Sequence, residues 1–139
     1  MSEKPIWSLP TEISQNVCAS AGALSFVGGA GDFDAAGTLR NPGDITRQIT
    51  GTVENIAAAL HQERCSLADA VRVKAFYTPA GSSDEIAIVQ ALQEAFPDKP
   101  SPVISTLPVP LQPFNGQEIQ VQVIAVRNWR TANDFQVET

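Results

Sequence analysis

Between Glu118 and Ala125 the chain alternates: Ile119, Val121, Val123 and Ala125 fall on one side, Glu118, Gln120 and Gln122 on the other. A two-residue period of this kind belongs to a β-strand with one buried face. That face needs a cover, and two amphipathic helices are available to supply it. Ile45, Ile49, Val53, Ile56 and Leu60 follow one another at helical spacing and form a single apolar stripe. Asp44 precedes the stripe as an N-cap, the turn Asn41-Pro42-Gly43 leads into it, and Arg64 near its end suits the negative helix pole. A second helix is predicted from about Asp84 to Phe96, with Ile86, Val89, Leu92 and Phe96 on one side. Ser82 and Glu85 have capping-box spacing there, and Pro97 stops the helix.

Further strands flank the helices. Val71, Val73, Ala75 and Tyr77 alternate with Arg72, Lys74 and Phe76. Ala23 to Val27 reads as a strand ending at Gly28-Gly29, and Asp32 to Gly37 as a hairpin or loop. Val103 to Leu107 reads as a strand that Pro108 and Pro110 confine to an edge or a bend. Strands, helix, strand, helix, strands is the order of an α+β layer, a single mixed sheet with two helices on one face. With 139 residues, 43% of them hydrophobic, and no repeat or linker, the chain is read as one domain over 1–139. The second sheet face is either solvated or an interface between copies.

The remaining features narrow the function. A net charge of -6 argues against nucleic acid as a partner, because phosphate binding needs clustered cations. No apolar run approaches the roughly 20 residues of a membrane span, and Met1 to Pro5 has no basic segment leading into an apolar one. A cytoplasmic protein is therefore expected. Cys18 and Cys65 form neither a disulfide framework nor a CxxC pair and read as small buried hydrophobes. His61 is the only histidine and reads as a helix-surface residue, so no metal and no cofactor are expected. Gly28-Gly29-Ala30-Gly31 lacks the lysine of a phosphate loop and suits a strand end with close backbone approach. Asp32 and Asp34 read as turn chemistry.

An ordered series of segments carries a resemblance. It comprises Ser25-Phe26-Val27-Gly28-Gly29, the Gly37 turn, Gln48 with Asn55-Ile56 and Leu60, and Leu67 to Lys74. Glu94-Ala95-Phe96-Pro97 and Ile119 to Ala125 complete it. Over about residues 13–128 the chain resembles the reactive intermediate deaminase family, Rid or YjgF-like, also labelled L-PSP endoribonucleases. The resemblance implies a chorismate-mutase-like α+β fold and a homotrimer with helices outside, sheets facing the threefold core and small-molecule clefts between subunits. Active members hydrolyse enamines and imines such as 2-aminoacrylate. An arginine in a Pro-Ala-Arg-like motif holds the substrate carboxylate, and a glutamate on the last strand moves water or protons.

This chain departs from that pattern at the chemistry. Gln120 falls at the glutamate position, and an amide neither takes nor gives a proton at working pH. Ser101-Pro102-Val103 falls over the arginine motif, which puts Val103 in place of the arginine and keeps Leu111 in step. A second alignment lays Phe96-Pro97-Asp98-Lys99 over Phe-Pro-Ala-Arg and puts Lys99 there. A family tyrosine falls near Gln15, and the Ser-Gly strand end becomes Gly28-Gly29, keeping the Gly29 amide. Gly29, Val103 and Gln120 are thus the expected ligand-binding residues of an inter-subunit cleft suited to a neutral, partly apolar ligand, and no catalytic residue is assigned. The alternatives are an enamine or imine deaminase using other residues, Lys99 among them, and, further off, an endoribonuclease.

Overall fold

The computed structural model describes residues 18–79 and 85–132. In chain order the elements are β1 (Cys18–Ala21), β2 (Leu24–Ala30), α1 (Ile45–Gln62), a 3-10 turn (Leu67–Asp69), β3 (Ala70–Tyr77) and α2 (Glu85–Ala95). β4 (Val103–Pro108), β5 (Ile119–Val126) and the short α3 (Trp129–Ala132) follow. The strands form one five-stranded sheet in the order β1-β2-β5-β3-β4. Only β3 and β4 are parallel, and α2 makes the crossover between them. The α+β layer with both helices on one face is therefore what the chain forms.

The core lies between that face and the helices. Val27, Val73, Ala75, Tyr77, Ile119, Val121, Val123 and Ala125 point into it from the sheet, and Ile49, Val53, Ile56 and Leu60 from α1. The α1 stripe was legible because its spacing and its cap agree: Asp44 accepts from the Arg47 amide. Arg64 lies beyond the helix end, at a positive φ of 60°.

Four details differ from expectation. α2 buries Ile88 and Leu92, with Phe96 just beyond it, while Ile86 is 68% exposed; residues four apart share a helix face, and Ile86 lies half a turn away. Ser82 and Asp84, placed at its start, lie outside the described residues. β2 does not stop at Gly28-Gly29 but runs through them, with a bulge between Val27 and Ala30 that small residues accommodate. A similar shift between Ala70 and Arg72 leaves Val71 only half-buried. Finally, Glu118 precedes β5 and is buried rather than part of a solvated polar face.

Candidate functional site

The sheet face away from the helices positions the expected site residues. Because directly paired residues share a face, the register fixes its rows. One row runs Ala19, Phe26, Ile124, Arg72, Val103 across β1, β2, β5, β3 and β4. Two residues along, Gln122, Lys74 and Ser105 form the next row, and Gln120, Phe76 and Leu107 the one after that. Gly29 joins the Gln120 row from the bulge: a Cβ there would meet the Gln120 amide nitrogen at 2.5 Å. Only glycine lets the Gln120 side chain lie over β2 in this way.

Gly29 and Gln120 are therefore brought together, and Val103 is not. It sits two strands over and four residues down from Gln120, about 16 Å away by standard sheet spacings. A single copy cannot unite the three. Lys99 lies outside the sheet, before β4, with its ammonium 3.4 Å from the Ser101 hydroxyl. His61 is exposed near the end of α1, as expected. Cys65 is buried, with its thiol 3.4 Å from the Ser25 hydroxyl, whereas Cys18 is only half-buried. Gln15 lies outside the described residues. Clefts of about 240 and 380 Å3 open on the helix side, beside Asp32 and Arg40 and between α1 and α2, and neither is lined by Gly29, Val103 or Gln120.

Buried side chains hold the rim of this face in place. Gln48, fully buried on α1, donates through Nε2 to the carbonyls of Asn41 and Gly116, both at 2.8 Å. Its Oε1 accepts from the Glu118 amide at 2.8 Å, which fixes the entry to β5 two residues before Gln120. Asn55 does the same beyond β2, donating to the carbonyls of Gly31 and Phe33. Asp32 is no turn residue. Its buried carboxylate accepts from the Arg40 Nε at 2.9 Å and from the Asn41 side-chain Nδ2 at 2.8 Å. Asp34 does cap its turn, accepting from the amides of Ala36 and Thr38.

Glu118 is a buried titratable group two residues before Gln120. Its Oε2 and the Thr78 hydroxyl are both buried without a hydrogen-bond partner, although the Thr78 backbone N–H donates to the Glu118 carbonyl. Burial pushes the Glu118 carboxyl above the usual range, and the Asp44 charge pushes it the same way. Among the described residues, no group of three or more His, Cys, Asp and Glu side chains gathers as a metal site would require. Nor is any described helix long and apolar enough to cross a membrane.

Sequence reasoning missed one feature of the face. The alternation of β3 put Arg72 and Lys74 on its polar side, but only the register shows that Arg72 stands directly beside Val103. The position expected to lack a cation therefore has one next to it.

The fold has solved counterparts. A YjgF-family protein from Mycobacterium tuberculosis is 23% identical, with a TM-score of 0.67, over 84% of this chain and 87% of that one. A Thermotoga maritima protein given a provisional endoribonuclease role is 27% identical, with a TM-score of 0.69, over 91% of this chain and 98% of that one. TdcF of E. coli, solved with bound serine, is 21% identical, with a TM-score of 0.69, over 86% and 91%. No curated protein matches the chain. The profile described as endoribonuclease L-PSP matches residues 10–127. With a family match over most of its length and the mixed sheet under two helices that its structural relatives share, the chain belongs to the YjgF/Rid family, the L-PSP family.

Proposed function

We propose that this chain works as a homotrimer that binds a small molecule in clefts between subunits and has lost the ordinary deaminase machinery of its family. The observation that carries the reading is the open sheet face. Of the six large hydrophobic side chains exposed among the described residues, Leu24, Phe26, Val103 and Leu107 all lie on it. Water-exposed antiparallel sheets normally alternate apolar-in and polar-out, and a gathered apolar patch marks an interface. Packing copies through this face also offers a way to bring Val103 of one subunit towards Gly29 and Gln120 of another. The serine bound to TdcF supports a small polar molecule as the kind of ligand this fold accepts.

The site chemistry supports binding over catalysis. Val103 offers no hydrogen bond to a carboxylate, where a charge-assisted bond contributes about 1.5–3 kcal/mol. Gln120 offers no proton, where general acid–base catalysis contributes about 10²–10⁴-fold. Ribonuclease chemistry is supported still less, since the one histidine lies on α1, off this face.

Light scattering in dilute buffer should give about three times the 14.8 kDa chain mass. Ammonia release from freshly generated 2-aminoacrylate should reach only a small fraction of an active member's kcat/KM. Val103→Arg with Gln120→Glu should gain more than the two single changes multiplied, because such residues act as a unit. A monomer at micromolar concentration, or a wild-type rate equal to an active member's, would overturn the reading.

A further inference from the structure

The chain has two cysteines, and folding brings both to one hydroxyl. Cys18 opens β1 and pairs with Val27 on β2; Val27 points into the core, and the Cys18 side chain packs against that core beside it. Two residues along, Ser20 pairs with the fully buried Ser25, and their hydroxyls lie 2.8 Å apart. Cys65 reaches the same place from the helix layer. It follows α1, its backbone N–H donates to the Leu60 carbonyl at 2.8 Å, and its thiol lies 3.4 Å from the Ser25 hydroxyl. Ser25 also favours the ionised Cys18 thiol by hydrogen bonding, and Cys65 lies near enough to act on it by charge. The two sulfurs, far apart in sequence, thus flank one serine.

The pair differs in access. Cys18 is half-buried on an edge strand, and Cys65 is buried behind it. Thiol–disulfide exchange needs that asymmetry: one thiol open to a reagent and a second within reach to resolve the mixed disulfide. β1 is held in the sheet only through its four residues paired with β2, so it can make the small approach that a sulfur–sulfur bond requires. Burial pushes the Cys18 thiol up, and Glu63 and Cys65 push it the same way. Exchange is therefore slow near neutral pH and quickens as pH rises.

We propose that Cys18 and Cys65 form a reversible intramolecular disulfide that ties edge strand β1 to the exit of α1, with a small disulfide such as oxidised glutathione as the oxidant. The Cys18 thiolate attacks one sulfur of that reagent, forming a mixed disulfide and releasing the first half as a thiol. Cys65 loses its proton, attacks the Cys18 sulfur and releases the second half. Two protein thiols lose two hydrogens in all, and one small disulfide gains them as two thiols. The bond lies on the helix side of the sheet, so it goes beyond the reading that copies pack through the open face and does not rest on it.

The test uses the reduced full chain and oxidised glutathione at mildly alkaline pH. Peptide mapping should find Cys18 joined to Cys65, and mass spectrometry a chain lighter by two hydrogen atoms. The equilibrium against reduced and oxidised glutathione should favour the bond about tenfold or more in the folded chain over the chain unfolded in urea, because the fold raises the effective concentration of one thiol at the other. Cys65→Ala, which keeps a small apolar side chain, should instead retain one glutathione on Cys18. In Cys18→Ser the buried Cys65 should react about tenfold more slowly or less than Cys18 does in wild type. A folded wild-type chain that keeps both thiols free overturns the inference. So does one that joins two copies through Cys18, or one that forms the bond no more readily folded than unfolded. A Cys65 that reacts as fast as Cys18 overturns the order of attack and with it the proposed step.

Discussion

Gln48→Leu tests how the helix layer holds the site in register. The wild-type side chain is fully buried and makes three hydrogen bonds at 2.8 Å, to Asn41 O, Gly116 O and the Glu118 amide. Leucine nearly matches its volume but makes none of them. The three losses are unequal. Gly116 O keeps the Gly43 amide and Asn41 O keeps the Asp44 amide, so each carbonyl retains one donor. The Glu118 amide loses the acceptor that Gln48 supplies. An orphaned buried donor costs about 1–3 kcal/mol, and the weakened carbonyls add a fraction of that each. A total of about 2–4 kcal/mol follows, offset in part by the added apolar burial. For a chain of this size that is about 7–14 °C in Tm. Thermal denaturation followed by circular dichroism reads the shift, at one fixed protomer concentration because assembly makes Tm concentration-dependent. Arg47→Ala serves as the control: its side chain is 75% exposed and its pairing with Asp44 spans 3.6 Å, so a change below about 0.5 kcal/mol is expected. A Gln48→Leu shift within about 2 °C of that control would refute the reasoning.

Two further outcomes follow from buried charge. The folded state raises the Glu118 carboxyl, so it favours the protonated form; the stability this contributes is present below the ordinary glutamate value of about 4.3 and is lost as pH rises through the folded value. Glu118→Gln should therefore match wild type near pH 4 and exceed it at pH 7 in urea denaturation, and a difference independent of pH would contradict this. Gly51→Ala should be destabilised, by about 2–4 kcal/mol, because its Cβ would strike the buried Asp32 carboxylate and disturb its pairing with the half-exposed Arg40; a urea midpoint near that of wild type would show that the pair can shift without loss.

Legibility in the sequence tracked the range of the forces involved. The α1 stripe and the β5 alternation could be read because each is a local period set by one buried face. β1, Cys18-Ala19-Ser20-Ala21, escaped notice because an edge strand with little buried surface needs no apolar alternation. Gly28-Gly29 read as a strand end because glycine weakens strands in general; here it admits a bulge and the Gln120 side chain. Asp32 and Glu118 were misread for a common reason. A carboxylate in a polar stretch reads as solvated, and only the folded structure shows Asp32 buried against Arg40 and Glu118 buried with an oxygen unpartnered. Gln48 and Asn55 entered the sequence reading only through family resemblance, and their structural work is done across 68 and 24 residues of chain. Of the expected site residues, Gln120 and Gly29 meet within one copy, while the distance from Val103 to them depends on a register that no local pattern contains.

The strand order has a temporal side. Of the described strands β5 is the last to be made, yet it sits in the middle of the sheet, between β2 and β3. Until it arrives the chain holds only a β1–β2 hairpin and a β3–α2–β4 unit, with no ladder joining them. Until then α1 packs on β2 but not on β5, which it also touches in the finished layer. Synthesis from the N-terminus therefore cannot build this layer progressively; it closes in one step, by insertion of the final strand between two waiting edges. Such a chain depends on non-local pairing and keeps the facing edges of β2 and β3 unpaired until its final strand is made.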